Sequence, residues 1–332
     1  MKIAINGFGR IGRKVMRLAA ERKDLEIVAI NSLSALESDV HLLKYDSVHG
    51  PWNVSVEAKD GAMIVGGKRV AISEEKDPTK LRWKELGVDV VLECTGAFTD
   101  REHAAAHLTA GARKVIISAP SKDADATICM GINDKTYDPS KHHVISNASC
   151  TTNALAPIAK VLEDNYGIVK GVMTTIHSYT NDQKVLDLPH KDLRRARAAA
   201  INMIPTSTGA AKAIGLVIPS LKGKLDGLAV RVPTPNVSLV DLSVELAKAT
   251  TKAEINAAML AAANGPLKGI LRYVSELLVS TDFNGDTHSS IFDSDCTMVV
   301  QGNSVKVLSW YDNESGYSAR MLDLAALVVA KR

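Results

Sequence analysis

The feature that most restricts the fold of this chain is a run of glycines near its start. Gly7-Phe8-Gly9-Arg10-Ile11-Gly12 has GxGxxG spacing and follows a short apolar run, Ile3–Ile5. In a strand–turn–helix unit, the first glycine allows a tight turn, the second lets a pyrophosphate approach the backbone, and the third lets helix and strand pack closely. The pattern predicts a dinucleotide site with phosphate at the helix N-terminus. An ordinary glycine turn is the alternative.

Strand and helix patterns alternate through the first half of the chain. Gly-centred turns at Asp60-Gly61 and Gly66-Gly67 indicate hairpins. Apolar runs that indicate buried strands occur at Glu26–Ile30, Val88–Leu92, Val115–Ile117 and His143–Ser146. Alternation of this kind predicts an α/β fold with a doubly wound Rossmann-type sheet.

After about residue 150 the alternating segments become longer, as in an antiparallel sheet. The predicted strands are Val172–Ile176, Leu228–Val232, Ser238–Leu246, Asp295–Gln301 and Ser304–Tyr311, and the predicted helices are Ala210–Ile218, Lys252–Ala263 and Ser318–Lys331. We therefore predict two domains. Residues 1–148 and 313–332 form a dinucleotide-binding domain, and residues 149–312 form an α+β catalytic domain with a mainly antiparallel sheet. Two domains also suit a chain of 332 residues.

Composition and charge exclude several classes of protein. Forty Lys and Arg against 37 Asp and Glu leave a net charge of +3, which is too small to argue for nucleic acid or an anionic membrane. The four cysteines form no CxxC pair, so we expect neither a disulfide scaffold nor a metal site. No uncharged apolar run approaches the roughly 18 residues of a membrane-spanning helix. A strand at Lys2–Ile5 leaves no room for a signal peptide, so we expect a cytoplasmic location.

Cys150 stands where a strand gives way to a helical pattern. Ser149 is a suitable N-cap, which places Cys150 in the first turn, where the helix dipole favours a thiolate. Beside a histidine, such a cysteine has an expected pKa of roughly 3.5–7.5. Pro157 lies inside this helix and predicts a kink or a short first segment. Taken alone, Cys150 fits a buried structural cysteine better than a nucleophile.

His177 follows the apolar run Val172–Ile176, and hydroxyl-bearing and basic residues come after it. They include Thr180, Arg195, Thr208, Gly209 and Arg231. Hydroxyls, a helix N-terminus and arginines are the groups that a phosphate monoester requires. A histidine at a strand end is also compatible with a merely structural polar terminus, and each arginine with a solvated surface position.

Ser32 stands where many dinucleotide-binding domains have an acid. About 20 residues after the glycine turn, a carboxylate holds the adenine ribose hydroxyls and repels a 2′-phosphate. Ser32 can donate or accept a hydrogen bond and repels nothing. This position therefore leaves the choice between NAD and NADP open.

Five motifs together resemble those of the phosphorylating glyceraldehyde-3-phosphate dehydrogenases, from end to end of the chain. They are residues 5–13, 146–153, 177–180, 231–238 and 310–314. The histidine segment and residues 188–195 are similar to the bacterial and plastid branch. The resemblance implies phosphate-dependent oxidation of D-glyceraldehyde 3-phosphate to 1,3-bisphosphoglycerate, with hydride transfer to NAD or NADP through a cysteine thioester.

The resemblance also implies a role for each residue at a matching position. Cys150 would be the nucleophile and His177 its activating partner. The substrate phosphate would be held by Thr180, Arg195 and Arg231, and the attacking phosphate by Ser149, Thr151, Thr208 and Gly209. The cofactor-binding positions would be Gly7, Gly9, Arg10, Ile11, Gly12, Lys76, Ser118 and Asn313, with Ser32 in the place of the ribose-binding aspartate.

Two positions give opposite indications about the cofactor. Ser32 departs from the aspartate of the family, whereas Leu188-Pro189 resembles the NAD-preferring members. We therefore predict use of NAD with relaxed discrimination against NADP, and we expect Ser32→Asp to shift the preference toward NAD.

Other functions are compatible with the same domains. An erythrose-4-phosphate dehydrogenase, or a reductase of aspartyl or glutamyl phosphates, would differ in its turnover of the two sugar phosphates with and without added phosphate. A nucleotide-binding regulatory protein with Cys150 as a redox switch would bind cofactor without steady turnover, but it has no use for the anion-binding residues. The resemblance implies a homotetramer, in which the polar segment Ser178–Arg197 is a candidate for crossing between subunits.

Overall fold

A computed structural model describes residues 1–331, which divide into two compact units. The first unit contains Met1–Ile128, Asp134–Ala148 and the residues from Ser318 onward. The second contains Cys129–Asn133 and Ser149–Tyr317. The predicted boundaries assign residues 129–133 and 313–317 to the dinucleotide-binding domain, whereas in the structure both segments pack within the second unit.

The first unit alternates strands and helices, as its sequence pattern predicts. Its elements are β1 (Lys2–Asn6), α1 (Arg10–Ala19), β2 (Glu26–Asn31), α2 (Leu36–Lys44), β3 (Val56–Lys59), β4 (Ala62–Val65), β5 (Lys68–Ser73), α3 (Trp83–Leu86), β6 (Val90–Glu93), α4 (Arg101–Ala104), α5 (Ala106–Thr109), β7 (Lys114–Ile117), β8 (Ala126–Thr127) and β9 (Val144–Ser146). The nine strands form one sheet in the order β3-β4-β5-β2-β1-β6-β7-β9-β8. The strands from β5 to β8 in that order are parallel, and β3 and β4 are added as hairpins. This is the predicted doubly wound sheet.

Apolar strand centres form the core of the first unit. Ile3, Ala4 and Ile5 of β1 are fully buried, as are the apolar residues of β6, because parallel strands inside such a sheet are covered on both faces. The turns between the hairpin strands have positive φ at Asp60 and Gly61 and at Gly66 and Gly67, which is the backbone geometry of the predicted two-residue turns.

The second unit contains a seven-stranded sheet and three helices that belong wholly to it. Its elements are α6 (Cys150–Tyr166), β10 (Ile168–Ser178), β11 (Ile204–Ser207), α7 (Ala210–Val217), β12 (Leu225–Val232), β13 (Ser238–Leu246), α8 (Lys252–Asn264), β14 (Leu271–Val274), β15 (Ser290–Val300), β16 (Ser304–Tyr311) and the first turn of α9 (Ser315–Ala330). The strand order is β11-β12-β10-β13-β16-β15-β14. Four of its pairs are antiparallel, whereas β10 pairs with β12 and β14 with β15 in parallel.

Two pairings in this sheet position the polar residues discussed below. In the parallel pair, His177 of β10 is the register partner of Arg231 of β12. In the antiparallel pair, Ser238 of β13 is the partner of Tyr311 of β16. Helix α6 packs against α7, α8 and the strands β13, β15 and β16, and thereby brings its first residue to the sheet. No helix in the described residues is long and apolar enough to cross a membrane.

Candidate active site

Cys150 is the first residue of helix α6, as the sequence predicts. Ser149 is the N-cap, and its Oγ accepts a hydrogen bond from the backbone N–H of Thr152 at 3.0 Å. The chain enters the helix through Ala148, which has a φ of +55°. Pro157 removes one backbone hydrogen bond, but it does not end the helix, which is 17 residues long and continues to Tyr166. The cap and the packing of α6 thus hold the half-buried thiol at the helix start.

The thiol of Cys150 faces the imidazole of His177. The distance from Sγ to Nε2 is 3.6 Å, although the two residues are 27 positions apart. His177 is the penultimate residue of β10 and is 5% exposed. The structure therefore places the two residues that the sequence analysis proposed as nucleophile and base within hydrogen-bonding distance.

Nδ1 of His177 lies between a donor and an acceptor. Arg231 Nη1, which can only donate, is 2.6 Å away, and the carbonyl oxygen of Ser178, which can only accept, is 2.7 Å away. With a proton on Nδ1, the bond to Ser178 forms and Nε2 can accept the thiol proton. With no proton on Nδ1, Arg231 donates to it and Nε2–H faces the sulfur. The position of the imidazole proton is therefore coupled to Arg231.

Burial and charge set the protonation states of this pair. Burial raises the pKa of the Cys150 thiol above its ordinary value, and the positive charge of Arg231 opposes that rise only in part. The expectation of a lowered thiol pKa is therefore wrong, because desolvation of the thiolate outweighs the favourable charges. Burial, with a further contribution from Arg231, lowers the pKa of His177 to about 3. At neutral pH the pair is a thiol beside a neutral imidazole that can act as a base.

Two arginines give this region its positive charge. Arg231 has a buried Nε with no hydrogen-bond partner among residues 1–331. Arg195 donates to Asp182 at 2.6 Å, to Thr206 Oγ1 at 3.0 Å and to the carbonyl of Ser207 at 3.2 Å. The charge of Arg195 contributes to the lowered pKa of His177, as does that of Arg231. An unpaired buried guanidinium nitrogen is a site that an anionic ligand can satisfy.

Tyr311 ties the start of α6 to the sheet, and the sequence analysis gave it no role. Its hydroxyl lies 2.9 Å from Thr151 Oγ1 and 2.8 Å from Thr175 Oγ1, and the residue is 1% exposed. Its ring meets that of His177 edge to face, with centroids 6.0 Å apart. Tyr311 therefore fixes both Thr151, beside the nucleophile, and the orientation of the imidazole.

Asn313 lies at the same end of the sheet. Its Oδ1 accepts hydrogen bonds from Ser178 Oγ at 2.8 Å and from Ser238 Oγ at 2.9 Å. These bonds explain why the segment after β16 belongs to the second unit. Asn313 thus adjoins the end of β10, next to His177.

The remaining predicted phosphate-binding residues are Thr180, Thr208 and Gly209, and each has local hydrogen bonds or a local structural role. The backbone carbonyl of Thr180 accepts a hydrogen bond from the backbone N–H of Gln183 at 2.9 Å, and the backbone N–H of Thr180 donates to Gln183 Oε1 at 3.4 Å. Thr208 Oγ1 accepts from the N–H of Ala210, and Gly209 is the exposed N-cap of α7. Both follow Ser207, whose carbonyl is bound by Arg195. The structure thus connects Thr208 and Gly209 to the arginine region through the backbone.

The glycine turn of the first unit has a shape that suits a pyrophosphate. Gly7 has a φ of +92°, and a Cβ there would lie 2.7 Å from the backbone nitrogen of Thr95. A Cβ at Gly12 would collide with the carbonyl oxygen of Gly7, whereas at Gly9 it would meet no atom within 4 Å. Gly9 is also the N-cap of α1 and has no side chain to cap it. The turn is therefore closed on its inner side and open at Gly9, so these residues fit a bound dinucleotide.

The other predicted cofactor residues lie at the carboxyl ends of parallel strands. Ser32 follows β2, Lys76 comes after β5, and Ser118 follows β7. Carboxyl ends of parallel strands meet at one edge of a sheet, where α/β proteins bind their ligands. Arg10 and Ile11 begin α1 beside them, and the Arg10 guanidinium forms two hydrogen bonds with the Asp46 carboxylate.

The fold and the site together define a class of protein. One unit has the sheet and glycine turn of a dinucleotide-binding domain, and the other has a cysteine–histidine pair beside arginines, as an NAD-dependent oxidoreductase acting on an aldehyde requires. Two family models match the chain: the NAD binding domain of glyceraldehyde 3-phosphate dehydrogenase at residues 1–101 and its C-terminal domain at residues 149–313.

Curated relatives match over the full length. The chain is 61% identical to glyceraldehyde-3-phosphate dehydrogenase of Geobacillus stearothermophilus, over 100% of this chain and 99% of that protein. It is 60% identical to glyceraldehyde-3-phosphate dehydrogenase 1 of Bacillus subtilis (100% and 99%) and 56% identical to the Streptomyces coelicolor enzyme (99% and 98%). The chain belongs to the glyceraldehyde-3-phosphate dehydrogenase family.

Proposed function

We propose that this protein oxidises D-glyceraldehyde 3-phosphate in the presence of inorganic phosphate to 1,3-bisphosphoglycerate, with NAD as hydride acceptor. The observation that carries the proposal is the 3.6 Å distance between Cys150 Sγ and His177 Nε2, beside an arginine whose Nε is buried and unpartnered among the described residues. Full-length similarity to enzymes of that name supports it.

The first step uses the pair as it stands. His177 Nε2 takes the thiol proton, and the sulfur adds to the aldehyde carbon. The oxygen that becomes negative is stabilised by the backbone N–H of Cys150, in the first turn of α6, and by protonated His177. His177 returns the proton to this oxygen, which gives a hemithioacetal on Cys150.

Oxidation and phosphorolysis follow at the same atoms. A bound NAD would supply the acceptor for the hydride that leaves the hemithioacetal carbon. His177 Nε2 removes the hydroxyl proton, and a thioester remains on Cys150. An oxygen of inorganic phosphate then adds to the thioester carbonyl, and the carbon–sulfur bond breaks to release the acyl phosphate. Protonated His177 restores the thiol.

The phosphate groups belong, in this proposal, to the residues around the pair. Arg231, Arg195 and Thr180 hold the substrate phosphate. The residues that hold the attacking phosphate are Ser149, Thr151, Thr208 and Gly209. An anion on Arg231 competes with His177 Nδ1 for the guanidinium N–H groups. Substrate binding then favours the tautomer with a proton on Nδ1, in which Nε2 is the base.

The cofactor belongs at the glycine turn and the carboxyl edge of the first unit's sheet. Its proposed contacts are Gly7, Gly9, Arg10, Ile11, Gly12, Ser32, Lys76 and Ser118, and the family resemblance adds Asn313. The match to the NAD binding domain model supports NAD. The ratio of kcat/KM for NAD and NADP tests the preference, which Ser32→Asp is expected to shift further toward NAD.

We also propose a homotetramer in the cytoplasm. Large apolar side chains are exposed in the long segment between β10 and β11, including Val185, Leu193 and Ile201, each about four-fifths exposed. Apolar side chains grouped in this way are typical of a surface that another subunit covers. Sedimentation equilibrium of the purified protein tests the tetramer.

The decisive assay follows the reduction of NAD with two sugar phosphates, with and without inorganic phosphate. We expect steady turnover only with D-glyceraldehyde 3-phosphate and phosphate, and a single burst when phosphate is left out. Faster turnover of erythrose 4-phosphate would assign the protein to that activity instead. Binding of NAD with no burst would contradict the proposed chemistry.

A further inference from the structure

A chain of hydrogen bonds leads from Ser32 to a buried carboxylate. Ser34 Oγ is 2.9 Å from Ser32 Oγ, and the Ser34 hydroxyl donates to Asp39 Oδ1 at 2.6 Å. Asp39 lies in the first turns of α2 and is 1% exposed, and its Oδ2 has no hydrogen-bond partner among residues 1–331. Burying a carboxylate with so few partners is unfavourable, so the arrangement calls for an explanation beyond packing.

The carboxylate fixes the direction of each hydrogen bond in the chain. A carboxylate can only accept, so the single hydroxyl proton of Ser34 is committed to Asp39. Ser34 Oγ can then only accept from Ser32, which commits the proton of Ser32 as well. Ser32 Oγ also receives the backbone N–H of Ser34 at 3.4 Å. Toward any further ligand, Ser32 therefore presents a lone pair and no proton.

An oxygen that can only accept distinguishes the two cofactors. The 2′-hydroxyl of the adenine ribose can donate to it, whereas a 2′-phosphate has no proton to offer at neutral pH and brings negative charge toward Ser32 and Asp39. We propose that Asp39, acting through Ser34, makes Ser32 an acceptor and thereby selects NAD over NADP. The inference rests on the proposed cofactor site at Ser32, and it assigns to Asp39 the charge that Ser32 lacks.

Two substitutions interrupt the chain of hydrogen bonds at different links. Asp39→Leu removes both the charge and the acceptor, and Ser34→Ala cuts the chain while leaving the carboxylate in place. Either change frees the Ser32 proton to face a ligand. We expect the ratio of the Kd for NADP to the Kd for NAD to fall about fivefold or more in both variants, because one hydrogen bond changes a binding constant by about that factor. Glu37→Gln is the matched control, because it removes a charge from the same turn of α2 at an exposed position.

The test measures the Kd of the full-length protein for each cofactor by calorimetry, without turnover, and thermal unfolding shows that each variant is folded. The inference is overturned if the ratio of the Kd for NADP to the Kd for NAD stays within about twofold of the parent value in both Asp39→Leu and Ser34→Ala. The same comparison is made with Glu37→Gln. Should Asp39→Leu not fold, Ser34→Ala decides alone by the same criterion.

A fourth variant separates this inference from the cofactor site on which it rests. Ser32→Ala removes the acceptor and is expected to weaken NAD binding about threefold or more. If Ser32→Ala weakens NAD binding while Ser34→Ala leaves the ratio unchanged, the site stands and the role of Asp39 is refuted. If Ser32→Ala changes neither Kd, the proposed contact at Ser32 is wrong, and the selection by Asp39 is overturned with it.

Discussion

Arg231 Nη1 lies 2.6 Å from Nδ1 of His177, and the two residues are register partners on adjacent parallel strands. Side chains of register partners leave the same face of a sheet. The contact is therefore a consequence of strand pairing. It places a permanent positive charge beside the imidazole and within electrostatic reach of the Cys150 thiol.

Removal of the Arg231 charge should raise the pKa of the Cys150 thiol. Arg231 favours the thiolate, so in Arg231→Leu we expect the midpoint of the pH profile of Cys150 alkylation to move upward by about one unit. The rate of iodoacetamide incorporation into the Cys150 peptide measures it. Arg194→Leu removes an exposed charge from the neighbouring segment and should leave the midpoint in place. A midpoint that moves downward in Arg231→Leu would contradict the electrostatic account.

Cys150→Ala should abolish oxidation and leave cofactor binding intact. Loss of a nucleophile costs enzymes of this type about 10⁴-fold or more in kcat, and the proposed cofactor contacts do not include the sulfur. Steady-state kinetics and the Kd for NAD are the two measurements. Cys296→Ala, a change at another thiol that is not fully buried, is expected to retain activity. Residual oxidation by Cys150→Ala above about 1% of the parent rate would rule out Cys150 as the nucleophile.

Tyr311→Phe should destabilise the second unit and slow catalysis. The change leaves the hydroxyls of Thr151 and Thr175 without their shared partner, at an expected cost of about 1–3 kcal/mol in the free energy of unfolding. Because Thr151 adjoins the nucleophile, we also expect a lower kcat. Unfolding in urea and initial rates measure the two effects. Tyr273→Phe, at a partly exposed tyrosine elsewhere in the unit, serves as control. An equal loss of stability in that control would argue against a specific role for the Tyr311 hydroxyl.

We expect protonation of the Asp46 carboxylate to make the protein less stable in acid. Burial raises the pKa of this carboxyl, but the backbone N–H groups of His49 and Val48 and the Arg10 guanidinium outweigh it, so the pKa falls to about 2. A carboxyl with a depressed folded-state pKa stabilises the fold above its unfolded pKa of about 4, and that stability is lost as the pH falls toward 2.

In Asp46→Asn we therefore expect a loss of about 2 kcal/mol at neutral pH and a flatter decline in stability from pH 4 to 2. Urea unfolding at a series of pH values measures both. Asp164→Asn, at an exposed residue of α6, should follow the parent curve. A parallel decline in Asp46→Asn and the parent would show that Asp46 is not the source.

The sequence predicted those parts of the fold that have a regular pattern. The bounds of β13 and β16 agree with the predicted Ser238–Leu246 and Ser304–Tyr311, because alternation in a half-covered strand marks both ends. Helix α2 was missed, since its inner positions are Asp39 and Leu43 and an acid at a buried position interrupts the apolar spacing. The residue that obscured the helix is the one now assigned to cofactor selection.

The sequence analysis named the two residues that the structure brings together, Cys150 and His177, but not the electrostatics of the pair. The proximity of Cys150 to His177 came from family resemblance, since nothing local joins residues 27 positions apart. The role of Tyr311 depends on two threonines from different elements, and no spacing in the sequence reveals it. The direction of the Cys150 pKa was predicted wrongly because helix dipoles can be inferred from a cap, whereas desolvation depends on the packed structure.

The parallel pairing of β10 with β12 has a consequence for how this protein tolerates change. A shift of one residue between these strands would turn Arg231 to the opposite side of the sheet, together with the buried Leu225 and Ala229 of the same strand. The apolar packing that holds β12 in register therefore also holds Arg231 beside the imidazole of His177.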